Sequence, residues 1–185
     1  MVDVAGAVRG ANIHHAVVFV REPFGDRLAR QLWGIGMLRS QAAQLIASRD
    51  ACSLLSAVRG AERDTLMSVR ETIAAVTRSA AVFTPGPAAV RAADHTIHVS
   101  SPDSVTPECR RELEVDTESG EATFGPALPL EPIDGAGRIA GDVIYVADLL
   151  DHNEVLRRRF GDRGWYRLGL TRETNGRLVA RIAPY

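Results

Sequence analysis

Hydrophobic positions in the first half of the chain follow helical spacing in two stretches. The first stretch comprises Leu28, Leu32, Ile35, Leu38, Ala42 and Leu45, and the second comprises Leu66, Val69, Ile73, Val76 and Ala80. Steps of three and four residues place one apolar stripe along an α-helix. The pattern therefore predicts two long helices that form a hairpin, joined by a short connection over residues 51–59.

Segments that favour β-strands precede and follow these helices. Residues Ile13–Val20 are β-branched and nearly continuous in apolar character, which is typical of a buried strand. Residues 95–100 and 141–148 are interpreted as strands, and residues 111–125 as a hairpin that turns at 118–120. Three prolines in residues 126–137 favour a loop there.

A short helix is predicted between the last strands. Asp151, with Glu154 three residues later, forms a capping-box pattern that starts a helix. Gly161 is suited to the position just after the end of that helix.

The last segment predicts a hairpin whose register depends on its loop. A three-residue loop, residues 174–176, pairs Leu168 with Ile182 and Leu170 with Ala180. This register collects the apolar side chains on one face, whereas a two-residue turn mixes the two faces. We therefore predict the three-residue loop, with its glycine in the left-handed conformation.

The order of predicted elements indicates an α+β fold. We expect an antiparallel sheet with the long helical hairpin packed on one face. The length fits a single domain over residues 1–185. Residues 1–90 are expected to be mainly helical after a first strand, and residues 91–185 mainly β with one short helix.

The tetrapeptide Phe-Gly-Asp-Arg occurs twice, at residues 24–27 and 160–163. The first copy precedes a predicted helix, which Asp26 is suited to cap, and the second ends one. Neighbouring residues do not extend the match, and a true repeat keeps a fixed period. We interpret the two copies as independent helix ends. A shared anion-binding loop and a duplication are the alternatives.

Composition limits the class of protein. The chain has no lysine, so its 22 basic residues are all arginine, which with frequent Ala, Val and Gly indicates a GC-rich bacterial genome. Cys52 and Cys109 lack the spacing of a metal site, so we expect two ordinary thiols. No apolar run is long enough for a membrane helix, and the first residues lack the pattern of a secretory signal. We therefore expect a cytoplasmic protein that binds no membrane.

Charge argues against a nucleic-acid partner. The net charge is −1, whereas a nucleic-acid surface needs a basic excess. Without lysine a Walker phosphate loop is impossible, and no dinucleotide-binding loop follows a predicted strand. In a strand, His95 and His98 lie on opposite faces and make a poor metal pair. We expect neither a metal nor a cofactor.

Histidines and carboxylates are the candidates for catalysis. We single out His98 and His95, with Asp94 and His152 as partners and Asp151 as a further carboxylate, for general acid–base chemistry. Such chemistry would suit an isomerase, dehydratase or cyclase. A cavity that holds a histidine and a carboxylate within hydrogen-bond reach would favour this hypothesis.

Two classes of function stay open at this stage. The first is a small-molecule-binding protein or enzyme, and the second is a non-catalytic dimeric module that holds a protein partner or regulates one. We expect a homodimer in either case. The narrow apolar stripes, and Gly34 and Gly36 within the first of them, favour close helix–helix contact.

Overall fold

The structure is a computed structural model that describes residues 3–63, 66–94, 96–118, 141–148 and 150–185. The described α-helices are α1 (Val4–Gly10), α2 (Phe24–Gly34), α3 (Arg39–Ser48), α4 (Ala51–Glu62), α5 (Val69–Ser79), α6 (Pro107–Glu118) and α7 (Glu154–Arg159). The described strands are β1 (Ala16–Val20), β2 (Val143–Ala147), β3 (Gly164–Arg172) and β4 (Leu178–Pro184). Short 3-10 helices cover Pro102–Ser104 and Leu150–Asn153.

The chain divides into two compact units. The helical unit is Pro23–Thr123, and the sheet unit combines Met1–Glu22 with Phe124–Tyr185. The prediction of a single domain over residues 1–185 stays a prediction. None of the described helices has both the length and the apolar character needed to cross a membrane.

The sheet unit contains a four-stranded mixed sheet in the order β2-β1-β3-β4. β1 pairs in parallel with both β2 and β3, and β3 pairs with β4 antiparallel. The α+β class is confirmed, but the sheet is mixed, so the expectation of an antiparallel sheet is wrong. All five residues of β1 are buried because a central parallel strand is covered on both faces. The continuous apolar run of this strand is the sequence signature of that position.

The C-terminal hairpin has the predicted register. Leu168 lies opposite Ile182 and Leu170 opposite Ala180. Gly176 has φ of +81°, the left-handed conformation that the three-residue loop needs. This prediction is confirmed.

The short helix before β3 starts later than its sequence predicts. Leu150–Asn153 form a 3-10 turn, and α7 begins at Glu154 with Asn153 at the cap position. On α7 and just beyond it, Leu156 and Phe160 pack against Val17, Phe19 and Ile144 of the sheet. The predicted cap at Asp151 is therefore wrong, although the helix itself is present.

In the first part of the helical unit the structure describes four α-helices, α2 to α5, where the sequence predicted two. Gly36, with φ of +92°, separates α2 from α3. Leu38 occupies the N-cap position of α3, and its side chain is largely exposed. The expected connection over residues 51–59 forms most of α4, whose N-terminus is capped by Asp50 through a hydrogen bond from the Ser53 amide. Buried apolar side chains from α2, α3, α4 and α5 form one core.

Two further expectations are wrong in this unit. Residues 107–118 form helix α6, not the first strand of a hairpin. Residues 95–100 form no regular strand within their described part, where His98 and Val99 make isolated β-bridges. His95 lies outside the described residues.

The two cysteines are not separate thiols. Cys52 on α4 and Cys109 on α6 form a disulfide with a Cα–Cα distance of 5.3 Å, and both residues are fully buried. The expectation of two ordinary thiols is wrong. Disulfides are typical of oxidising compartments, and the cytoplasmic localisation stays a prediction.

Candidate functional site

A buried ionic network fixes α6 against the start of α2. Arg27 is fully buried, and its Nε donates to Glu112 Oε2 at 2.7 Å. Its Nη2 lies 3.1 Å from Asp116 Oδ1. The Phe24 amide donates to the other oxygen of Asp116 at 2.9 Å. Burial raises the pKa of Asp116 to about 6, although Arg27 and the Phe24 N–H favour the charged form.

Asp94 caps the same end of α2. Its Oδ2 accepts from the Gly25 amide at 2.7 Å, and its Oδ1 accepts from the amide and hydroxyl of Thr96 at 2.8 and 2.7 Å. A β-carbon on Gly25 would lie 2.3 Å from Thr96 Oγ1, so only glycine allows this close approach. The first Phe-Gly-Asp-Arg copy therefore holds two of the protein's own carboxylates at its amides.

The second copy of this tetrapeptide has a different role. Asp162 pairs with His15, with 3.3 Å between Oδ2 and Nε2. Arg163 Nη1 donates to the carbonyls of Gly141 and Asp142 at 3.0 and 2.7 Å. Since both copies make structural contacts of different kinds, the interpretation as independent helix ends fits the structure. The contacts do not support a shared anion-binding loop.

His98 lies in the helical unit on a short extended segment. Its neighbours Ile97 and Val99 are buried, whereas the His98 side chain is half-buried and stacks on Phe83 with ring centroids 4.6 Å apart. The His98 carbonyl accepts from the Ala51 amide at 2.8 Å. The segment is thereby pinned to the start of α4.

A cavity of about 340 Å³, here called the His98 cavity, brings two of the predicted catalytic residues to one wall. His98 and Asp94 both line it, with Phe83, Ala89, Val90, Arg91, Ala92, Ile97 and Val99. Within the described residues His98 and Asp94 share no hydrogen bond, and the Asp94 carboxylate accepts from Gly25 and Thr96 instead. The catalytic roles of these residues stay predictions.

The structure describes the other predicted site residues only in part or not at all. His95 is outside the described residues, as noted above. The backbones of Asp151 and His152 belong to the 3-10 turn Leu150–Asn153 of the sheet unit, and their side chains lie outside the described part. Their predicted roles in catalysis stay predictions as well.

A cavity of about 640 Å³, here called the α6 cavity, opens beside helix α6 in the helical unit. Helix α6 supplies one wall, and the segment 90–93 supplies the other. Pro102 and Val105, in and just after the 3-10 helix Pro102–Ser104, also line the cavity. The lining residues are Val90, Arg91, Ala92, Ala93, Pro102, Val105, Arg110, Leu113, Glu114 and Thr117.

The walls of the α6 cavity are held by contacts on both sides. The Val90 amide donates to the Val99 carbonyl at 3.0 Å, which fixes the 90–93 segment. The disulfide at Cys109 and the Arg27 network fix α6. Both walls of the cavity are therefore held by contacts within the chain itself.

Three charged side chains lie at the rim of the α6 cavity. Arg91, Arg110 and Glu114 are exposed, and no side chain of the three makes a hydrogen bond or ion pair with another described residue. Arg59 of the same unit, in contrast, is bound to Glu108 at 2.7 Å and to Glu62 at 3.1 Å. The rim therefore presents two uncompensated guanidinium groups and one carboxylate.

Sequence reasoning missed this site. The sequence analysis places Glu114 within the predicted hairpin of residues 111–125 and Arg110 just before it, and it does not single out Arg91. A helical reading of residues 107–118 would have placed Arg110, Leu113, Glu114 and Thr117 on one face, since they are spaced by three and four residues. That spacing is the signal that was available.

The sheet unit contains a separate polar cluster around Asp148. This fully buried carboxylate accepts from Nε of Arg21 at 3.3 Å and from Nε of Arg167 at 3.1 Å. Its other oxygen accepts from the Leu150 amide at 3.1 Å and from Asn153 Nδ2 at 2.6 Å. With four donors on one carboxylate, Asp148 ties the ends of β1, β2 and the following turn together.

Comparisons with known protein families, curated proteins and solved structures find no match to this chain. In the part of the chain that is described, no three His, Cys, Asp or Glu side chains are grouped so that they could hold a metal ion.

Proposed function

We propose that the helical unit binds a small organic molecule in the α6 cavity. The observation that carries the proposal is a cavity of about 640 Å³ with a mainly apolar lining and a few charged groups at its rim. Ligand sites of proteins are typically clefts of about 300–1,000 Å³ with this composition. The proposal keeps the small-molecule class that the sequence favoured and moves the site to residues that the sequence did not indicate.

The residues of the α6 cavity support binding without turnover. The described residues of its lining include no histidine. Arginine is a poor general base, because a guanidinium group has no acceptor atom. Thr117 already donates its hydroxyl to the Leu113 carbonyl at 2.9 Å. Glu114 is the one remaining acid–base group of the lining, and it has no oriented partner among the described residues.

Filling the cavity tests the proposal. Ala93 lines the cavity and is half-buried, so Ala93→Phe should occupy space that a ligand needs. Ala75 is also half-buried but lines a different groove, between α4 and α5, so Ala75→Phe is the matched control. A library of small organic molecules is screened by ligand-observed NMR against the three proteins.

The expected result is a set of compounds that bind the wild type and Ala75→Phe but not Ala93→Phe. Bound compounds should also raise the melting temperature of the wild type, because a ligand that binds only the folded state stabilises it. If no compound distinguishes Ala93→Phe from the wild type, the proposal is wrong.

An acid–base enzyme that uses His98 is the second candidate. The observation in its favour is that half-buried His98 faces a cavity of about 340 Å³, which shares Val90, Arg91 and Ala92 with the α6 cavity. Compounds that bind the wild type would be incubated with it and with His98→Ala, and product formation followed by NMR. Turnover by the wild type that is lost in a folded His98→Ala protein would favour the enzyme.

A homodimer remains a proposal for the assembly of the chain. Leu66, Val69 and Leu38 are exposed, at 95%, 61% and 65% of their surface, and Val69 lies against Gly36 beside Leu38. Gly34 has no described neighbour within 4 Å of its hypothetical β-carbon. Light scattering of the wild type and of Leu66→Ser tests this assembly, and a monomeric wild type would refute it.

A further inference from the structure

We infer that the ligand of the α6 cavity is an amphipathic monocarboxylate, a molecule with an apolar body and one carboxylate group. This inference rests on the proposed function of the cavity and adds the chemical class of its ligand. It follows from three properties of the lining: the unpaired arginines, the carboxylate beside them and the apolar walls.

The two arginines of the lining come from different segments of the helical unit. Arg91 comes from the 90–93 segment and Arg110 from α6, and neither has an ionic partner among the described residues. Guanidinium groups bind carboxylates through paired, charge-assisted hydrogen bonds. Two guanidinium groups in the lining of one cavity favour a ligand that carries an anionic group.

Glu114 limits the charge of that anion. It lies four residues after Arg110 on α6 and lines the same cavity. Two guanidiniums and one carboxylate leave a single positive charge, which a monoanion neutralises. A phosphate monoester carries a charge of about −1.5 to −2 at pH 7, so its second charge would be repelled by Glu114.

The rest of the lining selects an apolar body. Six of the ten described lining residues have side chains without a polar atom, namely Val90, Ala92, Ala93, Pro102, Val105 and Leu113. A polar body buried against them would lose hydrogen bonds to water without replacing them. Aliphatic or aromatic carbon fits these walls best.

Probes that share one body and differ in one end group test the ligand class. We choose 4-phenylbutyrate, 4-phenylbutan-1-ol, 4-phenylbutylamine and 4-phenylbutyl phosphate, with affinities for the full chain measured by NMR titration. The carboxylate should bind at least about tenfold more tightly than the alcohol, as one charge-assisted contact of ordinary strength provides. The amine should bind most weakly.

Three variants of lining residues and one control variant test which side chains determine the preference for a carboxylate. Arg91→Gln and Arg110→Gln should each reduce carboxylate affinity toward that of the alcohol. Arg78→Gln removes an exposed arginine of α5 that has no described partner and does not line the cavity, and it should change nothing. Glu114→Gln should tighten carboxylate binding severalfold and weaken amine binding, because it removes a negative charge from the rim.

Each contrary result has a defined meaning. Equal affinities of the carboxylate, alcohol and amine would overturn the ligand class and leave the proposed function standing. Tighter binding of the phosphate than of the carboxylate would overturn the argument from Glu114. If none of the four probes binds, the ligand class is refuted, and the Ala93→Phe screen decides separately whether the cavity binds other molecules.

Discussion

Arg27 and Asp116 form an ion pair in the interior of the helical unit, with 3.1 Å between Nη2 and Oδ1. The two residues lie 89 positions apart in the chain, on α2 and α6. Glu112 shares the same guanidinium, so two carboxylates compete for one buried cation. Burial is the main cause of the raised pKa of Asp116, and the negative charge of Asp94 raises this pKa further.

The first prediction concerns the pH dependence of stability. The pKa of Asp116 is raised by burial from 3.8 to about 6 in the folded protein, so the folded state binds its proton more tightly than the unfolded state. The contribution of Asp116 to stability is therefore largest below pH 4 and decreases as the pH rises through 6. Relative to Asp116→Asn, the wild type should lose about 2–3 kcal/mol of unfolding free energy between pH 4 and pH 7.

Urea unfolding of both proteins at several pH values measures this difference. The other titrating groups are common to the two proteins, so their contributions largely cancel in the comparison. A wild type that gains stability relative to Asp116→Asn as the pH rises would contradict the assignment.

The second prediction compares the glycines of the two Phe-Gly-Asp-Arg copies. Gly25→Ala places a β-carbon 2.8 Å from Asp94 Oδ2 and still closer to Thr96, so it should destabilise the protein by about 1–3 kcal/mol. Gly161→Ala meets only the Arg157 carbonyl at 3.6 Å and should stay within about 0.5 kcal/mol. Equal losses of stability for the two variants in thermal unfolding would show that Asp94 does not contact the start of α2 as described.

The third prediction concerns the disulfide. Alkylation followed by mass spectrometry should find no free thiol in protein that is unfolded without reductant. Replacement of Cys52 and Cys109 by Ala together should cost about 2–4 kcal/mol, since the bond closes a chain segment with a separation of 57 residues. Two alkylated cysteines in the unreduced protein would refute the bond.

The sheet unit shows which features of a fold its sequence can predict. β1 was recognised because its apolar residues are adjacent in the chain, and the register of the last hairpin followed from the alternation of Leu168 and Leu170 with polar neighbours. Both signals are local. The parallel pairing of β1 was not predicted, because it depends on strands more than 120 residues further along the chain.

Helix α6 was missed for a related physical reason. Its buried face contains Glu112 and Asp116, which are stabilised inside the protein by Arg27. A search for apolar periodicity treats such positions as exposed. Arg91 and Arg110 were missed because any of the 22 arginines can have an ionic partner, and only the fold determines which ones lack it.

The last prediction concerns Asp148 and is measured by tryptophan fluorescence. Asp148 accepts from Arg21 and Arg167 while fully buried, so Asp148→Asn should destabilise the sheet unit by about 3 kcal/mol. The chain has two tryptophans, Trp33 and Trp165. In a Trp33→Phe background, the fluorescence therefore comes from Trp165 on β3 and reports on the sheet unit. Asp162→Asn is the control, since the pair with His15 is exposed and should contribute less than about 1 kcal/mol. An unchanged fluorescence transition for Asp148→Asn would show that its hydrogen bonds do not stabilise the sheet.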